Sequence, residues 1–268
     1  MRRWAWFCWA LACVFAMLVT QAVAEEFPAR KDYPTVKTIS TDELWADFQA
    51  GKVVIVDVRS TIEFNAIHPE GAMHVPISNK TFISEVGGLI AKNPGKKLAF
   101  YCNGVTCLKS YEAAQRSQES GYADCFAYDA GIPDWANRHP AQTLLLGKVL
   151  VNPQAQLISD DAFHGKLLEF DTFLKRSQTE NGIVIDTRDF IQSSGNLPGL
   201  EAARKIPLDT FLENFVSKKL NQDKPLFIFD QVGKQVRWLE YYLIDNGYAK
   251  YYFLKGGATA VLKDQTYK

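Results

Sequence analysis

The chain of 268 residues has no surplus of charge, since 30 Lys and Arg stand against 30 Asp and Glu. Without a basic field nothing draws the polyanionic backbone of a nucleic acid, and that partner class is excluded. Histidine is scarce, with four copies. His68 and His74 have no Cys or Asp cluster at ligand spacing around them, so they are assigned to turn and core hydrogen bonding rather than to a metal. No metal site and no cofactor are expected. Cysteine is sparse too, with five copies, and its distribution matters more than its number.

Residues 1–24 differ from the rest. Arg2-Arg3 is a basic start, Trp4 to Val19 is almost wholly apolar, and Ala22-Val23-Ala24 before Glu25 has the small-x-small form of a cleavage site. An uncleaved anchor is the alternative, because the run is nearly long enough to span a bilayer. The small-residue site favours a removed secretory signal, a periplasmic or secreted product, and no stable membrane insertion after cleavage. Cys8 and Cys13 leave with that segment, and Cys102, Cys107 and Cys125 remain. Three thiols in an oxidising compartment argue against a disulfide framework and leave at least one needing another explanation.

That explanation starts at Leu98-Ala99-Phe100-Tyr101-Cys102-Asn103-Gly104-Val105-Thr106-Cys107-Leu108-Lys109-Ser110. An apolar strand runs into a cysteine, a short loop follows, and a helix begins. Backbone N–H groups converge where a strand hands over to a helix, and the helix dipole favours the thiolate there. Cys102 therefore reads as a nucleophile rather than a packed thiol. Cys125, beside an expected strand, reads as core.

A second pattern spans the chain. Val53-Val54-Ile55-Val56-Asp57-Val58-Arg59 matches Gly182-Ile183-Val184-Ile185-Asp186-Thr187-Arg188, and Val75-Pro76-Ile77 matches Ile206-Pro207-Leu208. The strand ending at Cys102 matches Pro225-Leu226-Phe227-Ile228-Phe229-Asp230. Gly121-Tyr122 matches Gly247-Tyr248, and Ala130-Gly131 matches Gly256-Gly257. Collinear matches about 130 residues apart indicate duplication of a whole domain. Apolar runs without alternation, separated by helical stretches, predict an α/β fold with a mainly parallel sheet covered on both faces. Helices are expected from Thr41 to Phe48, Asp161 to Lys175, Tyr111 to Ser120 and Gln235 to Asn246. Residues 144–151 are expected to link the domains. Asp57 and Asp186, at strand ends, are expected to cap the turns that follow.

Asp57-Val58-Arg59, Glu63-Phe64, His68-Pro69-Glu70-Gly71-Ala72, Val75-Pro76, the loop at Cys102, and Gly131 with Trp135 together resemble the rhodanese or sulfurtransferase family. The resemblance implies two rhodanese-like domains, at 36–142 and 153–265. It implies that Cys102 takes sulfane sulfur from a small sulfur-containing anion such as thiosulfate, holds it as a persulfide, and passes it to a thiol or cyanide. Asn103, Gly104, Val105, Thr106 and Cys107 would form the anion-binding loop, with Lys109 and Ser110 as assistants. The six-residue span from Cys102 to Cys107 resembles the sulfurtransferase loop; the related phosphatases carry one residue more and end in Arg. Arg59 and Glu63 match framing positions of the family, although an ion pair fixing the turn after the first strand is preferred for them. Asp230 replaces the nucleophile in the second copy, where a carboxylate cannot carry sulfur, so that site reads as degenerate. The alternatives are a thiol–disulfide oxidoreductase or redox sensor using Cys102 and Cys107, and a non-catalytic binding module of the same fold.

Overall fold

A computed structural model describes residues 27–189, 192 and 195–266; the expected leader lies outside them. Among the described residues no helix is long and apolar enough to cross a membrane. The chain divides into two compact units, the first ending at Pro153 and the second starting at Gln154.

In the first unit the strands are β1 (Val53–Asp57), β2 (Ile67–Pro69), β3 (Met73–His74), β4 (Lys97–Tyr101), β5 (Cys125–Tyr128), β6 (Thr143–Leu145) and β7 (Lys148–Val149). The helices that concern the site are α1 (Thr41–Gln49), α2 (Thr61–Ala66), α3 (Phe82–Lys92), α4 (Lys109–Glu119) and α5 (Gly131–Arg138). The central sheet runs β3-β1-β4-β5 with every pairing parallel. All five residues of β1 are buried, as a strand covered on both faces requires. Phe82, Val86 and Leu89 repeat at helical spacing along α3 and pack into the same core as Val54, Val56, Leu98 and Phe100. The Ser40–Glu43 capping box starts α1 at Thr41, with Ser40 as the cap.

Two expectations are corrected. Residues 144–151 are not a linker: β6 and β7 form a hairpin added antiparallel to β2, so the first unit extends past residue 142. Leu146 and Gly147 both have positive φ, the backbone of a tight two-residue turn. The helix expected from 161 to 175 is broken into α6 (Asp160–His164), the short strand β8 (Leu167–Leu168) and α7 (Phe170–Thr179). Leu167 and Leu168 add to a sheet edge instead of continuing a helix.

The second unit contains β9 (Ile183–Asp186), β10 (Arg204–Lys205), β11 (Leu226–Phe229) and β12 (Tyr251–Leu254), with α8 (Leu208–Phe211), α9 (Val236–Asp245) and α10 (Gly257–Thr266). Its sheet runs β10-β9-β11-β12-β8, again wholly parallel. In the first unit the fifth position is marked by a parallel bridge between Thr38 and Ala127. The two sheets therefore share one strand order.

Candidate functional site

In the order β3-β1-β4-β5 the chain leaves β1 toward one edge and returns on the other side at β4. The crevice at the carboxyl ends of β1 and β4 is thus the topological switch point, where open parallel sheets bind ligands. Asp57 and Tyr101 are register partners at those ends, and Cys102 follows directly.

Asp57 and Arg59, both fully buried, form an ion pair at 2.6 Å. The same carboxylate accepts from the Arg59 backbone N–H at 2.9 Å and from the Tyr101 hydroxyl. Two buried charges are tolerable only when paired and saturated with hydrogen bonds, as these are. Burial opposes the charge on Arg59, but Asp57 outweighs it and holds the guanidinium firmly protonated. Arg59 does not stop at this pair. Its Nη1 donates to Asn103 Oδ1 at 3.1 Å, and its Nη2 donates to the Ile67 carbonyl at 2.6 Å.

Glu63 works from the other side. Its Oε2 accepts from the Ser60 N–H and hydroxyl, closing the capping box that starts α2. Its Oε1 accepts from Asn103 Nδ2 at 2.6 Å. Burial alone would raise the Glu63 pKa, but the Arg59 cation and the Asn103 and Ser60 donors together hold it below the usual carboxylate value. The preferred expectation for Arg59 and Glu63 is therefore refined. The ion pair that fixes the turn is Asp57–Arg59, and Arg59 and Glu63 meet at Asn103, which orients the first residue of the loop.

Cys102 is 1 % exposed. Its sulfur lies 3.8 Å from Ser110 Oγ, itself fully buried on the first turn of α4. Lys109 opens α4. Cys102 and Cys107 are joined as a disulfide, with Cα atoms 6.3 Å apart. The Cys107 N–H donates to the Gly104 carbonyl at 2.9 Å, which folds the loop back on itself. Cys125 is buried and free, and burial raises its pKa to about 11. No group of three or more His, Cys, Asp or Glu able to hold a metal occurs among the described residues. His68 Nδ1 bonds the Phe64 carbonyl and His74 Nε2 the Arg59 carbonyl, as turn residues do.

Gly131 stands in the sequence as part of the repeat and of the family resemblance, and its role in the structure is spatial. The Ile132 N–H donates to the Cys102 carbonyl at 3.0 Å. Gly131 has φ +66°, and a Cβ there would stand 2.5 Å from that carbonyl oxygen. Glycine is required for the α5 start to approach the loop so closely. A cleft of about 650 Å³ opens beside the loop, lined by residues 103–106 with Arg30, Thr41, Asp129, Pro133 and Asp134. Arg30 is committed to Asp129 at 2.7 Å. Sequence reasoning missed Arg30, Asp129 and Asp134, because partners about a hundred residues apart carry no local signal.

In the second unit Asp186 and Arg188 repeat the buried pair at 2.7 Å. Asp230 occupies the place of Cys102, and its carbonyl accepts from the Ala258 N–H at 2.9 Å. The Asp230 carboxylate accepts from the N–H groups of Val232, Gly233, Gln235 and Val236. The loop has turned inward to hold the chain's own anion.

Residues 40–138 match the rhodanese-like domain family. Over 103 residues the chain is 30% identical to a protein of Mycobacterium tuberculosis described as a probable adenylyltransferase/sulfurtransferase MoeZ, covering 38% of this chain and 25% of that protein. The chain thus spans about a quarter of the length of that curated relative. The human single-domain sulfurtransferase TSTD1 is similar at 23% identity and a TM-score of 0.33, over 39% of this chain and 98% of that one. A thiosulfate sulfurtransferase from Pseudomonas aeruginosa is similar at 17% identity and a TM-score of 0.38, over 89% of this chain and 46% of that one. Residues 40–138, the stretch that matches the rhodanese-like domain family, carry β1, β4 and the Cys102 loop.

Proposed function

We propose that this protein is an exported sulfurtransferase whose competent site is the Cys102 loop, and that its second unit is a non-catalytic copy of the first. The observation that carries the reading is the position of Cys102, at the end of β4 on the switch point of a rhodanese-like domain. The donor is a small anion bearing sulfane sulfur, with thiosulfate as the test compound. The Cys102 thiolate attacks the outer sulfur of thiosulfate, an S–S bond forms, and sulfite leaves with the electron pair of the broken bond. The N–H groups of residues 103–106 and the α4 N-terminus favour the anionic donor and the persulfide, while the Cys107 N–H is taken by the Gly104 carbonyl. Ser110 Oγ is placed to hydrogen-bond the sulfur. The sulfur then passes to a thiol or cyanide.

Reduced protein treated with thiosulfate should release sulfite in step with the thiosulfate consumed, and Cys102→Ala should release none. Absence of sulfite from the wild type would end this reading. The Cys102–Cys107 disulfide favours a second one, thiol–disulfide exchange. That reading stands alone if the pair cycles with a dithiol while thiosulfate is ignored.

A further inference from the structure

Two features of the loop are unexplained by sulfur transfer to an outside acceptor. The carrier thiol is almost wholly buried, and a second thiol five residues on reaches it covalently. We propose that Cys107 is a resolving residue that discharges the Cys102 persulfide inside the protein, releasing the sulfur as hydrosulfide. The proposal rests on the sulfurtransferase reading.

The Cys107 thiol sulfur attacks Sγ of Cys102, and the Sγ–Sγ bond forms. The bond from Cys102 Sγ to the outer sulfur breaks, and that sulfur departs with the electron pair, taking the Cys107 proton as HS⁻. The sulfane sulfur is reduced to sulfide, and the two cysteine sulfurs are oxidised to the disulfide. The product state is the one in the structure, with the two Cα atoms 6.3 Å apart, inside the range a disulfide spans.

Geometry supports Cys107 in this role on three counts. The turn closed by its N–H to the Gly104 carbonyl brings it back over Cys102. It lies two residues before the start of α4, where the helix dipole favours its thiolate as it does that of Cys102. It is only half-buried while Cys102 is covered, so it is also the sulfur an incoming reductant meets first. Attack there by an external thiol leaves Cys102 as the departing thiolate, and a second thiol frees Cys107. The cycle therefore consumes two thiols of an external reductant per sulfide formed. The reaction class that must serve this protein is thiol–disulfide exchange with a dithiol donor. The second unit, with Asp230 at the carrier position, retains no cysteine and can do neither step.

The test is a single turnover without oxygen. Full-length protein is reduced, freed of reductant, and given one equivalent of thiosulfate; sulfite, sulfide and intact mass are followed. Wild type should yield sulfite and then sulfide in equal amounts and end as the Cys102–Cys107 disulfide. Cys107→Ser should retain one added sulfur for each sulfite it releases, and release sulfide at least ~100-fold more slowly, since it loses an intramolecular nucleophile. The linked peptide in wild type gives a readout that needs no variant, and it must grow in step with sulfide. Sulfite without sulfide from wild type, or sulfide released equally by Cys107→Ser, overturns the proposal and leaves the sulfurtransferase reading intact. No sulfite from either protein fells the sulfurtransferase reading and this one with it.

Discussion

The loop after β4 and the loop after β11 stand at the same point of two sheets with the same strand order. Each hangs from a carbonyl that a later N–H holds, that of Ile132 on Cys102 and that of Ala258 on Asp230. Each is approached by a glycine with positive φ, Gly131 or Gly257. They differ in what they enclose. Asp230 gives four backbone N–H groups a permanent carboxylate, whereas Cys102 offers a neutral or singly charged sulfur. A turn rich in unpaired N–H groups wants an anion. In the second unit the chain supplies one, and in the first Cys102 is joined to Cys107 instead.

The buried arginines show the same divergence. Arg59 and Arg188 each pair with the aspartate two residues earlier. Arg59 then reaches Asn103 of the loop, while Arg188 reaches the carbonyls of Gln192 and Gly195 in its own following turn. Arg59 reaches the loop after β4, whereas Arg188, among the described residues, reaches the turn after its own strand. The helix after the loop begins seven positions beyond Cys102 and six beyond Asp230. Five positions beyond Asp230, where the first loop carries Cys107, stands Gln235.

The comparison can be broken most severely at the paired glycines. Gly131→Ala and Gly257→Ala each put a Cβ within 2.6 Å of backbone atoms of the loop, at a φ that side chains avoid. Each should cost about 3 kcal/mol in denaturant unfolding, from overpacking and the left-handed backbone together. Only Gly131→Ala should also abolish sulfite release, since only its loop carries the thiol. Equal loss of activity in both would undo the division between the loops.

Asp230→Asn is next in size. The amide oxygen can still accept from Val232 and Gly233, but its NH₂ then faces the N–H groups of Gln235 and Val236. A loss of about 2 kcal/mol is expected, with sulfite release unchanged. A neutral result in thermal melting would mean the carboxylate is not what holds that loop.

Glu63→Gln sharpens the first loop through pH. The folded-state pKa of Glu63 is depressed, so its ionised form contributes stability above the ordinary carboxylate pKa, and that contribution is lost as pH falls through the folded value. The variant should be less stable than wild type by about 1 kcal/mol near pH 7 and should converge with it in acid, once pH has fallen through the depressed folded-state value. A pH-independent difference would remove the charge from the explanation. The smallest effect concerns Cys125, whose thiol burial pushes up to about 11. Iodoacetamide at neutral pH should modify the half-buried Cys107 in reduced protein and leave Cys125 unlabelled, read by peptide mass.

Much of this was legible in sequence for local reasons. Runs such as Val53 to Val56 and Leu226 to Phe229 are apolar throughout, the pattern of strands covered on both faces. Thr41–Gln49 and Val236–Asp245 end where their caps and following residues require. The helix expected from 161 to 175 failed because Leu167 and Leu168 found a sheet edge at Phe253 and Leu254, a partner local periodicity does not register. The hairpin of residues 143–149 was missed because its stability comes from pairing with β2, some seventy residues earlier.

The amino-acid sequence by itself determined that Cys102 ends a buried strand before a helix, that Asp230 replaces it in a repeated pattern, and that Cys107 lies five residues away. Those are statements about order along the chain, and spacing suffices for them. Only the tertiary structure decided that Asn103 is gripped by Arg59 and Glu63, that Gly131 must lack a side chain, that Asp230 fills its own loop, and that Cys107 reaches Cys102. Each depends on the distance between atoms brought together by parallel pairing of strands far apart in sequence, and no local propensity encodes such a distance.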